Sequence, residues 1–308
     1  MTTVAVVVPT YRRPVSLEAC LAALARQDLT PDEVLVVART GDEASARVVA
    51  DAPLHCTFVE LDEPGVLAAM AAGARASSSE VICFTDDDAV APTGWLASLL
   101  ALLEVAPDVG AAGGRDVIFD GDVQRVEPST HDVGRVTWFG RHVGNHHLGA
   151  GPRREVAFLK GVNAAYRRAA LGLPRGLRGT GAQAHLEVAV GRFARSRGFS
   201  LLYDPELTVE HRPAPRLGED TRATPTRAAI GDAAYNLVVA IGGVRGLVRC
   251  AYVVAVGDRG CPGTLRGLVA LLRGDVATTR KVGPSVRGTL MGTWALLRGR
   301  GVAYETFE

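Results

Sequence analysis

Four short apolar runs in the first part of the chain are separated by segments of helical spacing, and this alternation constrains the fold most strongly. The runs are Val4–Val8, Glu33–Val37, Cys56–Leu61 and Val81–Thr85. The first run has no polar alternation, which is typical of a strand buried on both faces. Helices are predicted over Ser16–Arg26, with Ser16 as its N-cap, and over Ser45–Ala50, Val66–Arg75 and Trp95–Leu103. Strands alternating with helices predict an α/β fold, a parallel doubly wound sheet with helices on both faces.

The composition of the chain excludes several classes of protein. The 308 residues include 34 Lys and Arg against 33 Asp and Glu, and this near-neutral balance lacks the charge signature of a protein that coats nucleic acid. Five widely spaced cysteines form neither a disulfide framework nor a structural zinc motif. The sequence shows no signal-peptide pattern and no run of the ~18 apolar residues that span a bilayer. We therefore expect a cytoplasmic location, at most at the inner face of the cell membrane.

Charge divides the chain into two parts. Residues 216–308 carry 13 basic and 7 acidic side chains, whereas residues 1–215 carry 21 basic and 26 acidic ones. Prolines 213, 215 and 225 lie near this change. The pattern predicts two domains, one over 1–215 and a basic, apolar C-terminal region over 216–308, with a boundary at about 215–225.

Three adjacent carboxylates, Asp86, Asp87 and Asp88, directly follow the fourth predicted strand. Ligands of doubly wound sheets bind at the carboxyl ends of the strands, where this triplet and residues 10–13 both fall. Asp86 and Asp88 can turn to the same side of an extended segment and share a cation, and oxygen ligands suit Mg²⁺ or Mn²⁺. The alternative is a solvated acidic turn before the next helix.

The motifs form an ordered series. VVVPTYRRP at 6–14 is followed by the acidic triplet, GWL at 94–96, LKGVNAAYRR at 159–168, HLEVAVGRFARSRGF at 185–199 and LLYDPELTVEHRPAPR at 201–216. Over residues 3–216 this order resembles family 2 glycosyltransferases of the GT-A fold. The resemblance implies a mixed doubly wound sheet, and inverting transfer of a sugar from a nucleotide-sugar donor. The implied acceptor is a hydroxyl of a carbohydrate, such as a cell-envelope polysaccharide, or of a lipid-linked molecule.

The same resemblance assigns roles to individual residues. Asp88 is implied to coordinate the divalent cation and Asp86 to hold the ribose or the metal shell, while Asp87 shapes the turn. His211 corresponds to a further metal ligand. Glu187 is the candidate base, which would take the acceptor proton as its oxygen attacks the anomeric carbon. The family usually has an acidic pair here, whereas this chain has His185-Leu186-Glu187, so His185 stays open as an alternative.

Donor contacts are implied at two places. Pro9, Thr10, Tyr11 and Arg13 follow the first strand, with Asp86 and Asp87 opposite them. Lys160 and Asn163 are implied to lie near the donor sugar. Two expected polar contacts to the base are missing, because Ala38-Arg39-Thr40 replaces an aspartate after the second strand and Met70-Ala71 replaces an Arg-Asn pair. Arg39 is the candidate substitute, and the identity of the nucleotide stays open.

Two further segments have more than one interpretation. The Gly-rich and His-rich stretch at 140–151 is either a mobile acceptor loop or a plain surface loop, and its adjacent His146 and His147 do not make a metal site. Gly113 and Gly114 indicate a close backbone approach. From Ala228 to Leu297, apolar helical segments carry interleaved arginines, which favours either peripheral membrane contact or packing on the catalytic domain. The oligomeric state stays open.

The same residues bear on three other functions. A metal-dependent phosphohydrolase normally places its aspartate pair after the first strand, not the fourth. A dinucleotide oxidoreductase requires a Gly-rich turn after the first strand, where this chain has VPTYRRP. A non-catalytic sugar-nucleotide-binding protein remains the main alternative, because of the altered base contacts.

Overall fold

The computed structural model describes residues 2–179, 181, 183–214 and 226–307 of the chain. Within these ranges the strands are β1 Val4–Pro9, β2 Glu33–Arg39, β3 Thr57–Leu61, β4 Val81–Phe84, β5 Ala89–Val90, β6 Val109–Asp120, β7 Val123–Gln124, β8 Arg135–Val136, β9 His142–Val143, β10 Arg154–Glu155, β11 Ala164–Arg167, β12 Gly172–Arg175, β13 Ser200–His211 and β14 Ala303–Thr306. The α-helices of the same ranges are α1 Pro14–Leu24, α2 Glu43–Ala50, α3 Val66–Ala76, α4 Trp95–Leu103, α5 Leu186–Ser196, α6 Arg227–Ile241, α7 Gly243–Ala255, α8 Thr264–Leu272 and α9 Val276–Leu297.

One large mixed sheet organises the first two thirds of the chain. Its strands are ordered β10-β13-β6-β11-β4-β1-β2-β3. The pairs β4–β1, β1–β2 and β2–β3 are parallel, as predicted for the four apolar runs. β11 runs antiparallel to both of its neighbours, β4 and β6, whereas β13 is parallel to β6. The α/β fold with a mixed, doubly wound sheet is confirmed.

The side chains of β1 explain why its sequence is apolar throughout. Val4, Val6 and Val8 pack in a core with α1 and α4 on one face of the sheet. Ala5 and Val7 pack in a second core with α3 and α5 on the other face. Each buried valine contributes about 1.5–3 kcal/mol of transfer free energy. Helices therefore cover both faces of the sheet. The carboxyl ends of its strands remain accessible for a site.

Helix α1 begins two residues earlier than expected. Pro14 occupies its first turn, Arg13 is the N-cap residue, and no side chain caps this end. Proline already has a helical φ and lacks the N–H that would need a partner at this position. The prediction of Ser16 as the N-cap is therefore wrong. In α2, by contrast, Asp42 caps the helix by accepting a 3.2 Å hydrogen bond from the Ser45 N–H.

The first C-terminal helix, α6, packs on α5 of the preceding part of the chain. Leu237 and Ala240 of α6 share a core with Val188 and Ala189 of α5. Strand β14 returns to pair antiparallel with β12. The predicted division at 215/216 and its boundary at 215–225 lie outside the described residues, so the two-domain division stays a prediction. No helix in the described part of the chain combines the length and apolar character needed to cross a bilayer.

Candidate active site

The acidic triplet lies beside the turn that follows β1, because β1 and β4 are parallel neighbours. The Thr10 hydroxyl donates a 2.7 Å hydrogen bond to Asp87 Oδ2. Arg13 Nη1 donates to Asp87 Oδ1 at 3.1 Å and lies 3.5 Å from Asp88 Oδ2. Asp87 is only 3% exposed. It therefore joins the two strand ends, which is more than the turn-shaping role expected for it.

The electrostatics of Asp87 reflect this burial. Desolvation raises its pKa to about 6, although the Arg13 guanidinium and the Thr10 hydrogen bond act in the opposite direction. The neighbouring Asp88 carboxylate adds to the increase. Arg13 thus offsets part of the repulsion within the triplet.

Asp86, Asp88 and His211 converge on one point. One ligand atom from each lies within 4.8 Å of the other two. The pairing of β5 with β13 produces this convergence, since Ala89, directly after the triplet, lies opposite His211. The N–H of Ala214 donates to Asp88 Oδ2 at 2.9 Å and the N–H of Arg212 donates to the Asp88 carbonyl at 2.9 Å. The segment after β13 is therefore held against the triplet.

The sequence did not predict one carboxylate that holds His211. Asp116 of β6 has no exposed surface. Its Oδ2 lies 3.1 Å from His211 Nδ1 and also accepts a hydrogen bond from Lys160 Nζ. The other imidazole nitrogen, Nε2, lies 3.4 Å from Asp88 Oδ1. Asp116 thereby fixes the orientation of the His211 ring.

The charges in this network shift one another's pKa values. Burial opposes ionisation of Asp116, but hydrogen bonds from His211 and Lys160 outweigh it and lower the pKa of Asp116 to about 2. Burial likewise opposes ionisation of Asp88, while His211, the Ala214 N–H and Arg13 lower its pKa. Without a metal, desolvation disfavours the charged ring of His211, yet the flanking carboxylates raise its pKa to about 9. The site therefore stabilises positive charge at its centre.

The donor set fits a divalent cation. Two carboxylates and an imidazole are competent ligands for Mn²⁺ and less typical of Mg²⁺, which prefers oxygen. Asp88 Oδ1 is buried and accepts no hydrogen bond, so it is an acceptor that a cation would satisfy. Asp116 supports His211 from behind, as carboxylates commonly do for histidine ligands of metals.

The two predicted donor-sugar residues differ in environment. A third of the Lys160 side chain is exposed, and its ammonium pairs with Asp116. Asn163 has no exposed surface. Its Oδ1 accepts from Trp95 Nε1 at 2.9 Å, and its Nδ2 donates to the Leu207 and Arg115 carbonyls at 3.0 and 3.3 Å. Asn163 thus joins three segments of the protein, and its place near the donor sugar stays a prediction.

Pro9, Tyr11 and Arg39 lie at the same edge of the sheet. Pro9 ends β1 opposite Val37, and Arg39 ends the adjacent β2. The Arg12 guanidinium lies 5.4 Å from the centre of the Tyr11 ring. Arg12 has a positive φ of 53°, and its N–H donates to Asp42 at 2.7 Å. The capping aspartate of α2 thus also positions the turn between β1 and α1, a role that the sequence did not indicate.

Glu187 and His185 stand at the start of α5. Glu187 is half-buried in the first turn of the helix and interacts electrostatically with Tyr166 of β11. The preceding segment reaches the beginning of α3, where the Gly181 carbonyl accepts from the Val66 N–H at 3.3 Å. His185 has a left-handed backbone with φ of 69°. Its ring centre lies 4.9 Å from that of His142, and desolvation together with His142 and Arg249 lowers its pKa well below 6.5.

The segment 140–151 has more structure than a plain loop. It contains β9 and a short 3₁₀ helix at His146–Leu148. His146 is 3% exposed, bonds the Phe158 carbonyl through Nε2 at 3.0 Å, and its own carbonyl accepts from the Tyr203 hydroxyl at 2.7 Å. His146 is therefore a buried residue of the core, although its Gly-rich and His-rich stretch was expected to be a loop. At Gly114 a Cβ would lie 1.8 Å from the Leu207 carbonyl oxygen, which confirms the predicted close backbone approach.

Comparisons with known proteins identify the family. Residues 5–172 match the model of glycosyl transferase family 2, more than half of the chain. A curated relative, a glucosyl-dolichyl phosphate glucuronosyltransferase of Haloferax volcanii, is 30% identical over 119 residues. That match covers 36% of this chain and 37% of the relative, so the chain matches only about a third of the relative's length.

Solved structures share the fold. A mannosyltransferase of Pyrobaculum calidifontis, in complex with GDP-Man and Mn²⁺, is 20% identical with a TM-score of 0.52, and 97% of this chain and 88% of that chain are covered. S. aureus TarS, residues 1–349 in complex with UDP-GlcNAc, is 14% identical with a TM-score of 0.57. The match covers 99% of this chain and 97% of that chain. These likenesses agree with the mixed sheet. The chain belongs to glycosyl transferase family 2.

Proposed function

We propose that this enzyme moves a sugar from a nucleoside-diphosphate donor to a hydroxyl acceptor, with inversion at the anomeric carbon. One observation carries the proposal: Asp86, Asp88 and His211 converge within 4.8 Å at the strand ends where Thr10 and Arg13 also lie. Ligands of doubly wound sheets bind at such an edge.

Asp86, Asp88 and His211 would hold the divalent cation. When bound, the cation would supply positive charge that neutralises the departing diphosphate. Asp116 and Lys160 would keep the His211 ring oriented toward Asp88, since both bond in the same buried cluster. Mn²⁺ is favoured over Mg²⁺ by the imidazole ligand. The mannosyltransferase relative of this fold is in complex with Mn²⁺, which supports the proposal.

Glu187 is proposed as the base that takes the proton of the acceptor hydroxyl. Glu187 lies in the first turn of α5, half-buried and beside Tyr166 of β11. His185 is the weaker candidate. Its buried surroundings lower its pKa, so the ring accepts a proton poorly.

The partners follow from the surroundings of these residues. We propose that Pro9, Thr10, Tyr11, Arg13 and Arg39 contact the nucleotide, with a nucleotide-sugar half over about 1–110 and an acceptor half over about 111–215. The acceptor is a carbohydrate or a lipid-linked molecule, and the curated relative named for dolichyl phosphate supports the second. We place the reaction in the cytoplasm or at the inner face of the membrane.

The activity is tested with a panel of UDP-, GDP- and dTDP-sugars and a panel of hydroxyl acceptors, each with Mn²⁺, with Mg²⁺ and with a chelator. We expect one donor to release its nucleoside diphosphate when an acceptor and a cation are both present. Nuclear magnetic resonance of the early product would show the opposite anomeric configuration to the donor. A product with retained configuration would contradict the inverting mechanism.

Variants separate the proposed roles. Asp88→Asn should abolish transfer, with Asp51→Asn as its control because Asp51 is exposed at the end of α2. Glu187→Gln should lower kcat by about 10²–10⁴-fold and leave donor binding intact. Its matched control is Glu43→Gln, since Glu43 is also a first-turn glutamate but is exposed. Normal turnover of Glu187→Gln would place the base elsewhere.

A further inference from the structure

Helix α8 turns its large apolar residues toward solvent, which is the reverse of an ordinary surface helix in a globular domain. Its small residues Gly267 and Ala270 are buried, whereas large apolar residues face outward. The exposed residues are Leu265, Leu268, Val269, Leu271 and Leu272, from 45% to 80% exposed. A surface helix normally turns its apolar stripe inward. Since a Cβ on Gly267 would lie 2.5 Å from the Val282 side chain, α8 packs closely on α9 through its small side.

The second half of α9 continues this surface. Leu290, Trp294 and Leu297 are exposed at spacings of four and three residues, which places them on one side of the helix. Trp294 is 56% exposed, and the Arg298 guanidinium lies 4.3 Å from its ring centre. An open, largely apolar groove of about 480 Å³ between Thr264 and Met291 connects the two helices. We call the exposed apolar residues of α8 and of Leu290–Leu297 the α8–α9 face.

The segment that carries the α8–α9 face is strongly basic. Residues 264–300 contain seven basic side chains and a single acidic one, Asp275. Asp275 is the N-cap of α9, where it accepts from the Thr278 N–H. Arg287 lines the groove beside Leu290. A second copy of the chain on this face would bring two strongly basic surfaces together, which is unfavourable. The complementary surface is therefore anionic.

We propose that the α8–α9 face docks on the anionic phospholipid surface of a membrane. Leucines would enter the boundary between head groups and acyl chains, while arginine side chains extend their charged groups back to the phosphates. A tryptophan paired with arginine suits this boundary, because the ring is apolar and its N–H is polar. Neither α8 nor α9 spans a bilayer in this arrangement, since both lie in its plane.

Vesicle flotation of the full chain tests the proposal. The probes are vesicles of phosphatidylcholine alone and vesicles that also contain phosphatidylglycerol, at low and high salt. We expect binding to the anionic vesicles only, with a loss at high salt. Donor, acceptor and metal are absent, so the outcome does not depend on the proposed transfer activity. Failure to float with anionic vesicles at low salt would overturn the proposal.

Paired variants identify the surface. Leu268→Glu with Leu272→Glu should lower vesicle binding by at least about 100-fold. Val105→Glu is the control, an exposed apolar residue after α4. Arg273→Gln and Arg287→Gln should each lower binding about fivefold, and Arg47→Gln, exposed on α2, should not. Unchanged binding of the leucine pair would overturn the proposal. A wild-type dimer that this pair converts to a monomer would instead make the face an interface between copies.

Discussion

Replacing Asp116 by asparagine removes one negative charge from the centre of the candidate site while keeping the shape of the side chain. Asp116 is fully buried, and its Oδ2 bonds both Lys160 and His211. In the variant, Lys160 and His211 would face a neutral amide, whose single oxygen accepts their hydrogen bonds less well than a carboxylate. We therefore expect a clear loss of folding stability, quite apart from any effect on catalysis.

The magnitude follows from the pKa of the group. Folding lowers the pKa of Asp116 from 3.8 to about 2, which corresponds to about 2.5 kcal/mol at 1.36 kcal/mol for each unit. Breaking a buried ion pair costs about 3–5 kcal/mol in general. Because a third of the Lys160 side chain remains exposed to water, we expect Asp116→Asn to lower the free energy of unfolding by an amount near the lower end, about 2.5–3 kcal/mol.

Urea unfolding of the metal-free protein at neutral pH measures this loss. Lys160→Gln should lower the free energy of unfolding by less than Asp116→Asn does, since Asp116 then keeps its bond to His211. Asp122→Asn is the control, because Asp122 is a fully exposed partner of Arg212. The contribution of Asp116 is fully present above pH 3.8 and is lost as the pH falls through about 2, so the gap between wild type and variant should narrow there. If Asp116→Asn is as stable as Asp122→Asn, the reasoning about this buried network is refuted.

Two further predictions concern the surroundings of the site. Gly114→Ala should destabilise the protein by about 1–3 kcal/mol or more, because its Cβ would lie 1.8 Å from the Leu207 carbonyl oxygen. Its control is Gly161→Ala, which has open space around the new Cβ and should not lower the melting temperature. Burial lowers the pKa of His146 to about 4, so the stability it contributes is complete above pH 6.5 and is lost as the pH falls through about 4. Urea unfolding at pH 7 and 4.5 should show a steeper loss for wild type than for His146→Gln; equal losses would contradict the prediction.

The sequence predicted those parts of the fold that depend on local signals. Helix α4 has the predicted bounds, and the strand after which the triplet stands was expected because Val81–Phe84 is apolar throughout. The series of motifs also placed Asp88 and His211 in one family pattern. Fully buried parallel strands and adjacent carboxylates are visible without tertiary information, so these predictions needed no knowledge of distant contacts.

Other features depend on contacts between distant residues. Asp116 bonds Lys160 and His211, which are 44 and 95 residues away in sequence, and nothing in its local sequence marks it. His146 sits in a Gly-rich, His-rich stretch with no apolar period, yet Phe158 and Tyr203 bury it. Asn163 is likewise held by a distant residue, since its Oδ1 accepts from Trp95, 68 residues away in sequence. Polar residues that serve the core can be recognised only when their partners are known.

The most direct test of the proposed site is metal-dependent nucleotide binding, measured as the thermal stability of the protein with UDP, GDP and dTDP, each with Mn²⁺ or with a chelator. One nucleoside diphosphate at about 100 times its Kd should stabilise the wild type by about 2.7 kcal/mol, and only when Mn²⁺ is present. Asp88→Asn and His211→Gln should lose this stabilisation, and Asp51→Asn should keep it. Equal stabilisation in the chelator, or in the two site variants, would contradict the assignment of Asp86, Asp88 and His211 as the metal site.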